Sequence, residues 1–471
     1  MVWAVLAAAF HVLGIVSAIS AVLHTRTAQG AIAWAVALVT LPYVTVPLWW
    51  VFGRRRFAGY YERWADRRDR VDELVRQARA DAAAHAVHVE RRIPDYEALK
   101  ALAEWPLTQG NDVDLLVDGE PTFADIAAGI DRAKLYVLVE FFIVRDDGLG
   151  RRLKDRMIAA AARGVKVHFL FDEIGSKGLP RAYLDDLRAA GVKAWPFGTR
   201  RGWNNFFQIN FRNHRKIVVV DGLEAWIGGH NVGDEYLGLS RSIGPWRDTH
   251  VRIAGPAVLG AQAAFLLDWC WATGDLLELD WSSEVSRTGD RQALVFATGP
   301  ADRIETAKLI FTHQLNAARK RVWLATPYFI PEPALVSALR LAALRGVDVR
   351  VLVPANNDKE LVRYASYFYM EDLAGMGIKF LAFRDGFMHQ KVLLVDDALA
   401  TIGTHNFDNR SFLLNFEISA VVHDAEFCHR VAAMLEADFA RADPIDPTSF
   451  ARKPLWFRFA MRAARLTAPI Q

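Results

Sequence analysis

Cysteine is nearly missing: 471 residues hold two, Cys270 and Cys428, far apart. No CxxC pair exists, which removes a redox dithiol and a thiolate zinc site. Two buried, reduced thiols fit what remains. A strong charge of either sign is missing too. The formal net charge is only +3, so no basic field points to nucleic acid. There is no H-E-x-x-H and no G-x-x-x-x-G-K-[ST], and no metal-ligand cluster is legible. Finally, charge of any kind is absent from Val2 to Leu23 and again from Thr27 to Gly53.

Those two uncharged runs are the first thing present rather than absent. As a helix the first is about 33 Å long, enough to cross a hydrocarbon core. Trp34, Trp49 and Trp50 lie near the ends of the second, where aromatic side chains anchor at the interface. Only His24-Thr25-Arg26 separates the runs, and Arg54, Arg55 and Arg56 follow them, then Arg63, Arg67 and Arg68. The positive-inside rule puts everything after Arg54 in the cytoplasm. A signal peptide needs a basic start, and Met1-Val2-Trp3 has none. Residues 1–56 are therefore expected to form a transmembrane hairpin, kinked near Pro42 and Pro47.

With 52% apolar and 24% charged residues overall, the rest reads as a soluble body on an apolar attachment. Residues 57–105 read as a helical membrane-proximal linker broken near Pro94. Beyond it, apolar strand-like runs alternate with helical stretches, the pattern of an α/β architecture with parallel strands. The pattern occurs twice. Leu135 to Val144, a helix, then Arg163-Gly-Val to Asp172 is answered by Val322 to Ile330, a helix, then Arg345-Gly-Val to Val353. Each copy goes on to a short strand, Val192 to Phe197 or Ile378 to Phe383, and then to a strand opened by a histidine. The expected fold class is α/β: two pseudo-symmetric lobes, residues 106–285 and 286–445, each a mixed, mostly parallel sheet flanked by helices. A tail, 446–471, follows.

The repeat carries chemistry. Asn213-His214-Arg215-Lys216 leads to Asp221, Gly228 and Asn231; Met388-His389-Gln390-Lys391 leads to Asp396, Gly403 and Asn406. Both are H-x-K-x4-D-x6-G-x-x-N. On a strand, alternate residues share a side, so His214 points with Lys216 and His389 with Lys391, while Arg215 and Gln390 face away. The apolar run after each lysine suits a strand buried on both faces. Two such halves make one pocket with two histidines, two lysines and two asparagines. A neutral imidazole attacks phosphorus, the facing imidazolium protonates the departing alkoxide, and the lysines neutralise the non-bridging oxygens. No metal or other cofactor is required. Each imidazole needs an orienting partner. Asp248 and Glu417, each opening a strand downstream of one motif, are the candidates. Asp221 and Asp396 belong to the catalytic motif by pattern, but their place at strand ends suits a turn-forming, hydrogen-bonding role.

The doubled motif resembles the phospholipase D superfamily. The stretches Arg212 to Ile217, Gly228 to Leu237, Trp246 to His250, Asn406 to Phe412 and Asn415 to Glu417 look like bacterial cardiolipin synthases, as do the N-terminal hairpin and Gly110 to Gly119. The resemblance covers nearly the whole chain. His405 departs from it, since a small residue is expected there; neither it nor His230 is given a role. The resemblance implies a metal-independent exchange that joins two phosphatidylglycerols through a phosphohistidine and releases glycerol, with anionic membrane lipid as partner and no nucleic acid. It implies a multi-pass protein of the bacterial inner membrane. It also implies His214 as nucleophile and His389 as acid, then base; Arg212 and Arg215 beside His214 favour its neutral form. The alternative is a phospholipase D or a transphosphatidylase with another donor such as phosphatidylethanolamine. Trp203, Phe206 and Phe207 are candidates for an apolar lipid approach, and Lys453 to Leu466 for an amphipathic helix on anionic lipid. The oligomeric state stays open, a homodimer included.

Overall fold

Most strands of the central sheet are apolar and buried, Thr108–Val117 and the start of Arg291–Thr298 being only partly so, and helices pack against them. A computed structural model describes residues 1–25, 27–53, 57, 60, 68–87, 94–199, 210–356 and 359–470. The segments with Arg26, Arg54 to Arg56, Arg63 and Arg67, and those with Trp203, Phe206 and Phe207, lie outside the described residues.

The first half supplies β1 (Thr108–Val117), β2 (Tyr136–Phe141), β3 (Lys166–Asp172), β4 (Lys193–Phe197), β5 (Ile217–Val220), β6 (Glu224–Gly228) and β7 (Thr249–Ala254). The second supplies β8 (Arg291–Thr298), β9 (Arg321–Ala325), β10 (Asp348–Pro354), β11 (Lys379–Phe383), β12 (Val392–Val395), β13 (Leu399–Gly403), β14 (Asn415–His423) and β15 (Ala442–Ile445). All join one sheet. It is centred on β1 paired with β8. Outward from there the order is β1-β7-β6-β5-β2-β3-β4 on one side and β8-β14-β13-β12-β9-β10-β11-β15 on the other.

The expected mostly parallel sheet is corrected. Only β2 with β3, β3 with β4, β9 with β10 and β10 with β11 run parallel; the remaining neighbours along the path are antiparallel. An unbroken apolar run reports burial on both faces, not direction. Direction follows connection length. Asp221-Gly222-Leu223 joins β5 to β6 and is short enough only for a hairpin, whereas the helix Gly148–Ala162 spans the parallel crossover from β2 to β3. The motif histidines also differ from expectation. His214, Arg215 and Lys216 precede β5 rather than open it, and His389 to Lys391 precede β12 in the same way.

Six helices matter below: α1 (Val2–His24), α2 (Ala28–Thr40), α3 (Val258–Thr273), α4 (Glu360–Asp372), α5 (Ala425–Ala440) and α6 (Leu455–Arg465). α1 is long and apolar enough to cross a membrane. It packs closely on α2: a Cβ on Gly14 would lie 2.4 Å from the Leu38 carbonyl oxygen. The second apolar run breaks at Leu41, where Pro42 starts a new helix, Pro42–Leu48, because its missing N–H costs nothing at a first turn. Trp49 turns inward and is buried against Trp34, with ring centroids 5.2 Å apart. The linker is not one helix broken at Pro94. A helix Arg68–Ala83 ends first, and Pro94 begins the next, Pro94–Ala103. α3 is buried almost all round, as its lack of a polar face requires.

Candidate active site

Two short strand pairings tie the halves together. Arg212–Asn213 runs parallel to Asn415–Phe416, and Phe387–Met388 runs parallel to Trp246–Arg247. Each pairing brings a motif histidine of one half against a carboxylate of the other. The His214 N–H donates to the Phe416 carbonyl at 2.9 Å, and the His389 N–H to the Arg247 carbonyl at 2.8 Å. The side chains then meet: His214 Nδ1 lies 2.9 Å from Glu417 Oε2, and His389 Nδ1 lies 2.8 Å from Asp248 Oδ2. An ionised carboxylate only accepts, so Nδ1 carries the ring proton and Nε2 keeps its lone pair. The pairing is crossed between halves, which the order of residues along the chain did not reveal.

Both carboxylates are completely buried and held from behind. Glu417 Oε1 accepts from Ser411 Oγ at 2.9 Å and from Asn415 Nδ2 at 3.1 Å. Asp248 Oδ1 accepts from the Thr249 N–H at 2.8 Å. Gly229 makes room for it, since a Cβ there would lie 1.9 Å from that oxygen. Burial would raise the pKa of Asp248, but His230, Lys391 and His389 outweigh it and hold the group below the usual carboxylate range. His214 does the same for Glu417. The imidazoles move down as well. Burial lowers His214 to about 4, with Glu417 opposing and Lys216 assisting. Burial and then Lys391 lower His389 to about 3. Both rings are therefore neutral near pH 7.

His214, His389, Asn231 and Asn406 line one pocket of about 890 Å³. Asn231 Oδ1 accepts from the Ile143 N–H at 3.1 Å. The Asn406 side-chain oxygen is buried and has no hydrogen-bond partner among the described residues. The lysines, expected on the lining, stand off it. Lys216 Nζ donates to the carbonyl of His214 at 2.7 Å, and Lys391 Nζ donates to that of His389. An ammonium in a dry interior takes the nearest acceptor, and each histidine's own carbonyl is that acceptor. Burial pulls Lys216 down to about 7, against the raising effect of Glu417.

Asp221 and Asp396, grouped with the catalytic set by motif, are placed elsewhere. Each ends its motif strand with φ near +54° or +55°, at the end away from the histidine. Asp221 accepts from the backbone N–H groups of Lys134, Leu135 and Tyr136 at 2.8, 2.8 and 2.9 Å. Asp396 accepts in the same way from Arg319, Lys320 and Arg321. These are turn-closing contacts outside the pocket, and aspartate suits them because it tolerates the left-handed region. His405 bonds Thr298 Oγ1 and Ser419 Oγ, both at 2.8 Å, which accounts for a histidine in the core. His230 Nδ1 lies 3.0 Å from His250 Nδ1, a contact that sequence reading missed. Arg215 points away from the pocket and pairs with Asp268 at 2.7 Å, so it does not separate the two imidazoles electrostatically. Among the described residues, no group of three or more His, Cys, Asp or Glu is placed to hold a metal.

The family model described as "Cardiolipin synthase, PLD-like domain" matches this chain twice, over residues 126–244 and 311–439, and a phospholipase D-nuclease N-terminal model matches residues 5–54. The chain is thus a phospholipase D superfamily protein. It is 44% identical over 468 residues to cardiolipin synthase A of Pseudomonas fluorescens, covering 99% of this chain and 98% of that one. It is 47% identical over 467 residues to cardiolipin synthase A of Pseudomonas aeruginosa, covering 98% and 94%. It belongs to the cardiolipin synthase family, and with α1 in place it is a membrane-associated protein. The phosphatidylserine synthase structure from Haemophilus influenzae shares the fold, with a TM-score of 0.62, 15% identity, and coverage of 80% of this chain and 100% of that one.

Proposed function

We propose that this chain is a cardiolipin synthase that moves a phosphatidyl group from one phosphatidylglycerol to another through a phosphohistidine. The observation that carries the reading is the crossed pair of carboxylate-backed imidazoles on one pocket. In the first step His214 Nε2 forms a bond to phosphorus. The P–O bond to the glycerol headgroup breaks, and His389 gives the leaving oxygen its proton. Both imidazoles are neutral in the empty site, so His389 takes up that proton as the anionic phosphodiester arrives and favours its charged form. Glu417 faces the positive charge that phosphorylation leaves on His214. In the second step the terminal hydroxyl of another phosphatidylglycerol gives its proton to His389. Its oxygen bonds phosphorus, the P–N bond breaks, and cardiolipin leaves. One phosphodiester replaces another, so no nucleotide is consumed. Asn231 and Asn406 line the pocket that takes the non-bridging oxygens, and Lys216 and Lys391, held behind the histidines, offset their charge from there.

In this reading the matching strand orders reflect two pseudo-symmetric phospholipase D-type lobes, 106–285 and 286–445. Residues 1–56 cross the membrane twice, the linker 57–105 follows, and the body faces the cytoplasm with the tail 446–471 against lipid. The close packing of α1 on α2 and the arginines after Gly53 support that topology.

The test is purified full-length protein in vesicles of phosphatidylglycerol alone. Cardiolipin and glycerol appearing in equal amounts, and persisting with a divalent-ion chelator present, is the expected result. Phosphatidic acid as main product would instead make it a hydrolytic phospholipase D. Cardiolipin formed only after phosphatidylethanolamine is added would assign that donor. Cysteine labelling at position 26 and at Lys177 in intact cells tests the topology, and outside labelling at 177 overturns it.

A further inference from the structure

Behind the two motif histidines the support is symmetric except at one point. Gln390 donates to Asp438 Oδ2 of α5 at 2.8 Å, and Arg215 donates to Asp268 Oδ2 of α3 at 2.7 Å. Both aspartates are buried. Asp438 has a second partner in the opposite half: Arg247, the residue before Asp248, donates to each of its oxygens at 2.8 Å. The residue before Glu417 is Phe416, whose side chain has no donor for Asp268. Tyr60 supplies one instead. Its ring lies against that of Phe416, with centroids 4.9 Å apart, and its hydroxyl donates to Asp268 Oδ1 at 2.5 Å. Phe57 is wedged beside it, its ring 5.5 Å from that of Phe416 and 4.9 Å from that of Trp271, and its N–H donates to the Pro300 carbonyl at 3.0 Å. Both residues come from the stretch just after the second apolar run, which ends at Gly53.

Asp268 grips the chain on both sides of His214. Besides Arg215, its Oδ2 accepts from Asn213 Nδ2 at 3.0 Å. Arg215 goes on to donate through Nε to the Glu417 carbonyl at 3.1 Å, next to the Phe416 carbonyl that holds the His214 N–H. One buried carboxylate thus fixes both neighbours of His214 and, through Arg215, the backbone of the residue that orients its ring. Glu140 also accepts from Asn213, but burial first and Asp268 second push its carboxyl well above the usual range. Asp268 is therefore the charge opposite Arg215. A buried carboxylate oxygen left without a donor is costly, so the Tyr60 hydroxyl is part of what keeps Asp268 in place. We propose that Tyr60 is a positioning residue for His214: by holding Asp268 it fixes Asn213 and Arg215, and with them the seat of the attacking imidazole. His389 draws the matching support from Arg247; His214 draws it from the segment that follows the apolar helices, so attack on phosphorus requires that segment to be docked. The bonds made and broken are those of the transfer proposed above, on which this inference rests, and Tyr60 gives up no proton.

The experiment uses full-length protein in phosphatidylglycerol vesicles. Rapid-mixing release of glycerol reads the attack by His214, and urea unfolding reads stability. Tyr60→Phe keeps the ring and loses only the hydroxyl. It should slow glycerol release about tenfold per folded molecule, the worth of one hydrogen bond to a charged group, with KM for phosphatidylglycerol unchanged because the pocket lining is untouched. Asp268→Asn should slow release at least as much. The two changes together should be no worse than Asp268→Asn alone, since both act through one contact. Lowered stability with a wild-type rate per folded molecule would make Tyr60 a structural contact only and overturn the proposal. Losses that multiply in the double variant would overturn it too, because Tyr60 would then act without Asp268. Wild-type protein that releases no glycerol would overturn the transfer reading itself, and the role of Tyr60 with it.

Discussion

His214 and Glu417 are 203 residues apart, and their side chains meet at 2.9 Å. Asp248 and His389 repeat the relationship in the opposite direction. The carboxylate that orients each imidazole is thus a possession of the other half. Glu417→Gln should therefore damage the step that belongs to His214, and Asp248→Asn the step that belongs to His389. Each should lower turnover about 10²–10⁴-fold, the range for a mispositioned general acid, base or nucleophile. Single-turnover mixing with phosphatidylglycerol reads which step is slowed. Damage confined to the histidine of the same half would contradict the crossed arrangement.

The nucleophile is assigned by adduct trapping. With His389→Asn, a phosphatidyl group should still reach His214 slowly and then persist, since nothing activates the second alcohol. With His214→Asn no adduct should form. Intact-protein mass spectrometry separates the cases. An adduct on His389 in the His214 variant, with none in the other, would reverse the two roles and leave the two-histidine mechanism standing.

The pH profile of kcat/KM should have two limbs. Attack needs neutral His214, whose pKa is about 4 in the folded protein, so activity rises as pH climbs through that value. Beyond that, the proton that His389 must take up makes activity decline gradually, and the decline steepens as pH rises through about 7, where burial places Lys216 and phosphate binding loses its charge. Both limbs report the free enzyme. Lys216→Arg keeps its charge, so in whatever activity that variant retains the alkaline limb should move upward. An alkaline limb that stays in place would remove Lys216 as its source.

Asp221→Ala tests whether that residue shapes the fold or the chemistry. Three backbone N–H groups lose their acceptor, and an alanine inherits a left-handed backbone. Unfolding by urea should show a loss of about 2–4 kcal/mol, with turnover per folded molecule close to wild type. Lost turnover at unchanged stability would restore a catalytic role to the motif aspartate.

α6 presents two different faces. Phe457 packs on Tyr364 of α4 with ring centroids 5.3 Å apart, and Met461 and Ala464 are buried. Leu455, Trp456 and Phe459 face outward with 65–79% of their surface exposed. Thr467, just beyond the helix, lines the pocket. Trp456→Glu with Phe459→Glu should weaken activity on anionic vesicles far more than in detergent micelles, since an apolar face flanked by arginines suits a lipid surface. Equal activity on both would leave the helix a docked terminus only.

The sequence by itself picked out the two histidines that the fold brings to one pocket. Histidine and asparagine at one spacing, twice, named four residues that line the pocket, because motif spacing is a local property of the chain. It also marked the buried strands and the apolar α1, because burial dictates apolar composition directly. It did not show strand direction, since an apolar run looks the same either way. It placed Asp221 and Asp396 in the motif without revealing that their carboxylates close turns. Only the tertiary structure decided that Glu417 serves His214 and Asp248 serves His389, that the lysines tuck under histidine carbonyls, and that Tyr60 meets Asp268 behind His214. Each of those is a contact between segments far apart in the chain or a choice among nearby acceptors. Such choices are settled by which strands pair across the two halves, at Arg212–Asn213 with Asn415–Phe416 and at Phe387–Met388 with Trp246–Arg247, and no local pattern of residues encodes them.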